Sequence, residues 1–338
     1  MPPNVQPSGP APYSAVLAWV AHHAGCRRVE RAEPAGGRVL AEAVVAPHAI
    51  PPRAEAALDG VALCAAQTHG AGEYAPAVVA GRPVQAGDAL IAPEDAVVPG
   101  GAVDWVGAQG AVPTVAVVTP VAGGAGIRAA GSVIAAGTVA LAAGTVLGPA
   151  ALGLLAAMGV TRTALVALPR VAVLAGPSLV PMLTAAIKAD GGVAEALPGV
   201  DAYGTEWARA GRFDLIVVSG PAPFAALHAA ATGPGGSFGT LDEVPIVSVP
   251  LDAEGALAAT LLIARPLIRA RAGLPLHPTQ LRLTHPIASG LGWTELVWLR
   301  PDGTPAGPGL HAATAGMYTI IDAGSEGAPA GAMVDAWT

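Results

Sequence analysis

Three short stretches of this 338-residue chain follow an apolar run with groups that could meet a ligand: Ala175-Gly-Pro-Ser178, Ser219-Gly-Pro221 and Pro250-Leu-Asp-Ala-Glu-Gly255. Ser178 and Ser219 bring hydroxyls, and Ser219-Gly220 at its strand end could form a nest of N–H groups for a phosphate-like oxyanion. Ser219-Gly220 reads equally as an ordinary strand-to-helix turn. Asp252 and Glu254 make a carboxylate pair beside Pro250, although Asp at such a place is also a natural helix N-cap. Asp59 precedes Gly60 in an Asp-Gly turn. Other chemistry is sparse. No lysine follows a Gly-rich loop, so there is no Walker A sequence. Gly233-Pro-Gly-Gly-Ser-Phe-Gly239 has a phosphate-loop composition but the wrong distance from a strand, and reads as a flexible loop. There is no Gly-x-Ser-x-Gly elbow and no His-Glu-x-x-His pair. His228, His277, His285 and His311 stand alone and read as structural or surface groups. His22 and His23 diverge by about 100° on a helix and would not share an ion. Cys26 and Cys64 lack metal-ligand spacing and give no disulfide framework.

The elements that must position these groups can be read from hydrophobic period. Arg170 to Gly273 alternates strand and helix: Val171–Leu174, a helix to about Ala189, a strand around Val193, a helix near Asp201 to Ala210, then Asp214–Ser219, Pro245–Val249 and a long helix from Ala253 to Arg271. This spacing predicts a parallel sheet with helices on both faces, whose ligands sit beyond the carboxyl ends of the strands. Ahead of it, Tyr13 to Glu30 carries a helical pattern that ends near Gly25. From Leu58 to Val121, short β-branched runs between Gly, Pro and Asp turns predict a β-rich module. Residues 142–159 read as a strand, a turn and a helix with Pro149 at its first position, Leu152, Leu154, Leu155 and Met158 on its apolar face, and Gly159 just past its end. From Leu274 onward the pattern is β again.

Composition narrows the function classes. Hydrophobic residues make up 53% of the chain, aromatics 4%, and the formal net charge is −7. With no cluster of Lys or Arg and Lys188 the one lysine, neither nucleic acid nor an anionic membrane suits it as a partner. Ala129 to Thr161 is uncharged and long enough to span a bilayer, but seven Gly and Pro residues interrupt it without basic or aromatic flanks, so no spanning helix is expected. Met1 to Pro12 lacks the basic start of a signal peptide. A cytoplasmic protein is expected.

The run Gly37-Arg-Val-Leu-Ala-Glu-Ala-Val-Val-Ala-Pro-His-Ala-Ile-Pro-Pro52, continuing to Leu58-Asp-Gly-Val-Ala62, resembles the molybdopterin molybdenumtransferase family, to which the gephyrin E domain belongs and whose wording is close to GRVLAEDV-A-DIPPFDNSAMDGYA. Gln85 to Val98, Ala142 to Pro149 and Ser325 to Val334 resemble later stretches of the family. The resemblance implies an α/β and β multidomain fold with four parts: a discontinuous N-terminal linker domain (13–50 plus 122–168), an inserted β-rich domain (51–121), an α/β molybdopterin-binding-like domain (169–273) and a small C-terminal β-barrel (274–338). It also implies an elongated homodimer.

The family's chemical residues are largely replaced. Its Asp, Asn and Ser fall on Ala54, Glu55 and Ala56, while Asp59 and Gly60 are retained. The Asp of its GEDI motif falls on Val133. Its STGDEL turn becomes Ala175 to Leu179, without either carboxylate. Its TSGGVSVGDYD loop becomes Val218 to Phe224, where Pro221 and Pro223 remove N–H donors. The lysines of its MKPGKP loop fall on Gly233 and Gly236, and LPGNPVS becomes Val249 to Gly255. The implied function is molybdenum-cofactor biosynthesis or handling: binding or delivering molybdopterin without full insertase chemistry. The alternatives are a divergent enzyme that still inserts molybdate, with or without Mg, and a non-enzymatic scaffold. Partners would be molybdopterin, a cofactor-delivery protein or a client molybdoenzyme. The site residues expected are Ser178, Ser219, Gly220, Pro250, Asp252 and Gly60 for binding, with Asp59 and Asp252 as catalytic candidates and no metal ligands.

Overall fold

The computed structural model describes residues 10–25, 27–109, 112–197, 212–222, 226–233, 235–307 and 315–338. The chain divides into two units, one of residues 32–36 and 40–163, the other of the described residues up to 31, residues 37–39 and 164 onward. Helix α1 (Tyr13–Ala24) belongs to the second unit and buries Val16 and Val20. It ends at Ala24 with Gly25 as its cap, where the pattern was expected to end, and Val29–Ala32 is a strand.

In the first unit, six strands follow from β-branched runs broken by turns: β1 (Gly60–Leu63), β2 (Ala77–Ala80), β3 (Arg82–Val84), β4 (Ala96–Val98), β5 (Asp104–Gln109) and β6 (Val112–Val117). β1 lies between β3 and β4, and β6 between β2 and β5, all antiparallel. The period of two divides β1 between two cores: Val61 and Leu63 join Val79, Val98 and Val115, whereas Ala62 joins Val84 and Val97. Two ribbons complete the unit, Val44–Val45 with Val139–Leu141 and Glu55–Ala56 with Ile127–Arg128. Helix α2 (Pro149–Ala157) has its proline in the first turn and Gly159 beyond its end at φ +66°. It buries Leu155 and, just beyond, Met158, while Leu152 and Leu154 are only half-buried. No helix among the described residues is long and apolar enough to cross a membrane.

The second unit is built on a six-stranded sheet. Its strands are β7 (Arg170–Leu174), β8 (Val193–Ala196), β9 (Leu215–Ser219), β10 (Ala226–Ala229), β11 (Ser237–Leu241) and β12 (Val244–Val249), in the order β8-β7-β9-β12-β11-β10. The first four in that order are parallel, and β11 and β10 add antiparallel. Both faces of the parallel part are apolar. Val171, Val173, Leu215, Val217 and Val247 pack under helix α3 (Val180–Ala189), with Leu183 and Ile187 one turn apart on the buried side. Ala172, Leu174, Ile216, Val218 and Ile246 form the opposite core with Phe213. The helix expected near Asp201 to Ala210 lies outside the described residues. The sequence from Gly233 to Gly239, expected as a flexible loop, runs into β11 instead. Phe238 pairs with Val247 and is 4% exposed, so burial of one aromatic side chain overrides the Gly-rich composition.

After β12 comes one continuous helical run: α4 (Ala253–Ala259), a π turn (Thr260–Ala264) and α5 (Arg265–Ala272), ended by Gly273 at φ +74°. Just past the wide turn stands Pro266, which has no N–H to give the Leu262 carbonyl four residues back. That carbonyl accepts the Tyr13 hydroxyl instead, at 3.1 Å. The chain closes with β13 (Thr279–Arg282), β14 (Glu295–Leu299), β15 (Met317–Ile321) and β16 (Met333–Trp337), an antiparallel sheet in the order β13-β16-β15-β14. A ribbon of Ile287–Ala288 with Gly327–Ala328 accompanies it. Where the resemblance implies a barrel, the described strands form this sheet and ribbon.

Candidate functional site

Because β7, β9 and β12 are parallel neighbours, their carboxyl ends lie side by side, with Leu174 opposite Val218 and Ser219 opposite Val249. The structure therefore brings the segments of Ser178, Ser219, Gly220, Pro250 and Asp252 to one sheet edge. Asp59 and Gly60 belong to the other unit.

The groups at this edge are already engaged by the fold. Gly220 holds φ +82°, donates its N–H to the Val249 carbonyl at 2.8 Å and accepts the Ser248 hydroxyl at 2.6 Å. Its N–H is therefore spent on closing the turn, and Pro221 has none to offer. A side chain on Gly220 would come within 3.1 Å of Leu251. Ser219 is 8% exposed at the strand end, so its hydroxyl is held inside the sheet edge. Of the two sequence readings, the ordinary turn is the one these contacts describe. Ser178 is exposed in the turn before α3, where the Gly176 carbonyl accepts from Leu179 and Val180. Asp252 is the N-cap of α4: its Oδ1 accepts the Gly255 N–H at 2.7 Å. An added Cβ at Gly255 would lie 2.8 Å from Asp252 Oδ2, so glycine there makes room for the capping carboxylate.

Beside this cap lies a cleft of about 640 Å³ whose lining includes Gly233, Asp252, Glu254, Gly255, Glu295 and Trp298. Three carboxylates enter it, and among the described residues that line it none is Lys or Arg. Glu295 and Trp298 come from β14, a contribution that sequence reading missed. One acidic residue in an ordinary strand pattern carries no signal of the loop it will face. The 232–235 turn is fixed by Gly233 N–H to Thr294 O at 2.8 Å and by Thr232 Oγ to Gly235 O at 2.8 Å. Such a lining suits a neutral or cationic group and repels a phosphate or a metal oxyanion. Among the described residues, no group of three or more His, Cys, Asp or Glu side chains could hold a metal ion.

In the other unit, Asp59 Oδ1 accepts the Ala86 N–H at 2.8 Å and ties a turn. Gly60 opens β1, where a Cβ would fall 2.0 Å from the Val98 carbonyl oxygen. Both retained residues thus have structural work in their own sheet.

A family model described as the MoeA N-terminal region (domain I and II) matches residues 12–159. That match spans somewhat less than half of the chain, and over it the sequence is similar to the MoeA N-terminal region. The likeness of fold extends further. The crystal structure of the molybdopterin biosynthesis MoeA protein from Pyrococcus horikoshii OT3 is 22% identical and superposes with a TM-score of 0.78, covering 98% of this chain and 100% of that one. A molybdenum cofactor biosynthesis protein from Pyrococcus furiosus gives 18% identity and a TM-score of 0.64, covering 97% and 99%. No curated protein sequence matches the chain. The multidomain α/β and β-rich fold is accordingly that of MoeA structures.

Proposed function

We propose that this MoeA-like chain works in molybdenum-cofactor biosynthesis as a protein that binds or delivers molybdopterin and lacks the full chemistry of molybdate insertion. The carrying observation is the contrast between a fold that matches MoeA proteins along almost its whole length and a sheet-edge cleft lined by Asp252, Glu254 and Glu295, with no Lys or Arg among its described lining residues. Insertion needs an anionic phosphate and a metal oxyanion held together, which calls for cations and free backbone donors. At this edge the Gly220 N–H is bonded, Pro221 lacks one, and Asp252 serves its own helix. The retained Asp59 and Gly60 act as turn and strand residues. In this reading the protein is a cytoplasmic homodimer, and its partners are a cofactor-delivery protein or a client molybdoenzyme.

Two measurements test it. Titration of the purified chain with molybdopterin should show saturable binding, and a flat titration at high ligand concentration removes the proposal. Expression in a strain lacking the insertase should leave that strain without active molybdoenzymes. Rescue would make the chain a divergent insertase.

A further inference from the structure

A second cleft in the same unit has the opposite character from the acidic one. It encloses about 370 Å³ and is walled by Tyr13 of α1, Tyr318 of β15, Trp337 of β16, Leu261 and Pro266 of the helical run, and Leu276. Tyr318 and Trp337 stack on each other, with ring centroids 5.8 Å apart and planes at 24°; Tyr318 is 3% exposed beneath Arg265, so the half-buried Trp337 is the ring of the pair that a ligand can reach. Two polar side chains join this apolar wall. The exposed Asp322 lies at the end of β15, its carboxylate oriented by the Gly324 N–H donating to Oδ1 at 2.8 Å. Thr294, 1% exposed, carries a buried hydroxyl with no hydrogen-bond partner. Buried hydroxyls are ordinarily satisfied, so an orphan in the wall of a cavity marks a place where a ligand group is expected. The backbone of Thr294 is fully committed: its N–H donates to Ala231 O and its carbonyl accepts from Gly233. The residue is therefore held in place and free only at its hydroxyl.

An accessible indole, one carboxylate and one hydroxyl are elements that recognise a planar heterocycle with an amidine-type edge. The ring stacks, two adjacent N–H groups pair with the carboxylate, and a ring nitrogen or carbonyl meets the hydroxyl. We propose that this cleft binds the pterin ring system, with Asp322 reading its 2-amino, N3–H edge and Thr294 bonding another ring heteroatom. The proposal rests on the reading of the chain as a molybdopterin handler, which supplies a pterin as the ligand. It also places the ring away from the acidic cleft, where an anionic ligand is repelled.

The test uses the full chain and two phosphate-free probes, pterin and lumazine, which differ in that lumazine carries a carbonyl where pterin carries the 2-amino group. Calorimetry should show pterin binding at least tenfold tighter than lumazine, because the lumazine carbonyl opposes the Asp322 carboxylate. Asp322→Asn should reduce that preference to within twofold, and Thr294→Val should weaken both ligands alike. A discrimination ratio read within one folded variant is insensitive to small stability changes. Equal binding of the two probes, a preference unchanged by Asp322→Asn, or tighter binding of guanosine than of pterin each overturns the assignment. If molybdopterin binds while Asp322→Asn alters nothing, this inference falls and the functional reading stands. If pterin discrimination is found but intact molybdopterin does not bind, the cleft stands and the functional reading falls.

Discussion

At the scale of single residues, the fold depends on a few close approaches and a few buried polar contacts. Gly60 is the sharpest of the approaches. Gly60→Ala would drive a methyl group into the Val98 carbonyl, and the two strands would have to part. We expect a loss of about 1–3 kcal/mol, read as a lower urea midpoint for the first unit. Tyr13 is the counterpart among polar contacts. Burial pushes its phenol well above the usual tyrosine range, with Tyr318 adding to the shift, so it remains a neutral donor to the Leu262 carbonyl. Tyr13→Phe strands that carbonyl and should cost about 1–3 kcal/mol in thermal or denaturant unfolding. In the first unit, Arg82 grips Glu94 with two hydrogen bonds, Nε to Oε1 at 2.7 Å and Nη2 to Oε2 at 2.6 Å. The bonds from Arg82, opposed by burial, hold the Glu94 carboxyl below its ordinary value of 4.5. A depressed carboxyl stabilises the fold at neutral pH, and that contribution is lost as pH falls below 4.5 and on through the folded value. Glu94→Gln should therefore flatten the acid limb of the stability–pH curve and leave the curve above pH 6 parallel to the parent's. An acid limb of unchanged steepness would show that the pair does not govern it.

At the scale of elements, the helical run after β12 is the most instructive. Its amphipathic pattern from Ala253 to Arg271 was legible, and so was the presence of Asp252 at its start. The π turn was not, because Pro266 announces a missing donor without saying whether the chain breaks, kinks or widens. Tyr13, hundreds of residues away, donates to the Leu262 carbonyl that the proline leaves without its α-helical donor, a contact no local pattern announces. The strand Ser237–Leu241 was hidden for a related reason, since the Gly-rich sequence leading into it points to a loop, whereas pairing with β12 and β10 makes it extended. Asp252 allows a clean separation of roles. As a cap it should cost about 1 kcal/mol on mutation to Ala and little on mutation to Asn. If Asp252→Asn abolished ligand binding while keeping stability, the residue would be acting on the ligand as well as on the helix.

Across the whole molecule, order along the chain was easier to read than chemistry in space. The alternation of strands and helices between residues 170 and 273 fixed which loops share a sheet edge, and the structure places them there. What those loops do was less visible. Ser219-Gly220 looked like an anion nest until the Val249 carbonyl claimed the N–H, and Glu295 joined the cleft from a strand with no motif. The net charge of −7 and the acidic cleft make one more prediction. Attraction between a basic site and molybdopterin weakens as salt is added; here the ligand meets repulsion, which salt screens. Affinity for molybdopterin should hold or rise between about 50 and 300 mM salt. A steep fall would require a cationic contact that the described residues of this cleft do not offer.

Lys188 stands on α3, the helix that covers one face of the parallel sheet, with its side chain in solvent. Since no other lysine exists, side-chain amine chemistry addresses a single known position. A dye attached there reports from one helix alone. A short amine-to-amine linker joining two such side chains would put a distance limit between the α3 helices of neighbouring copies.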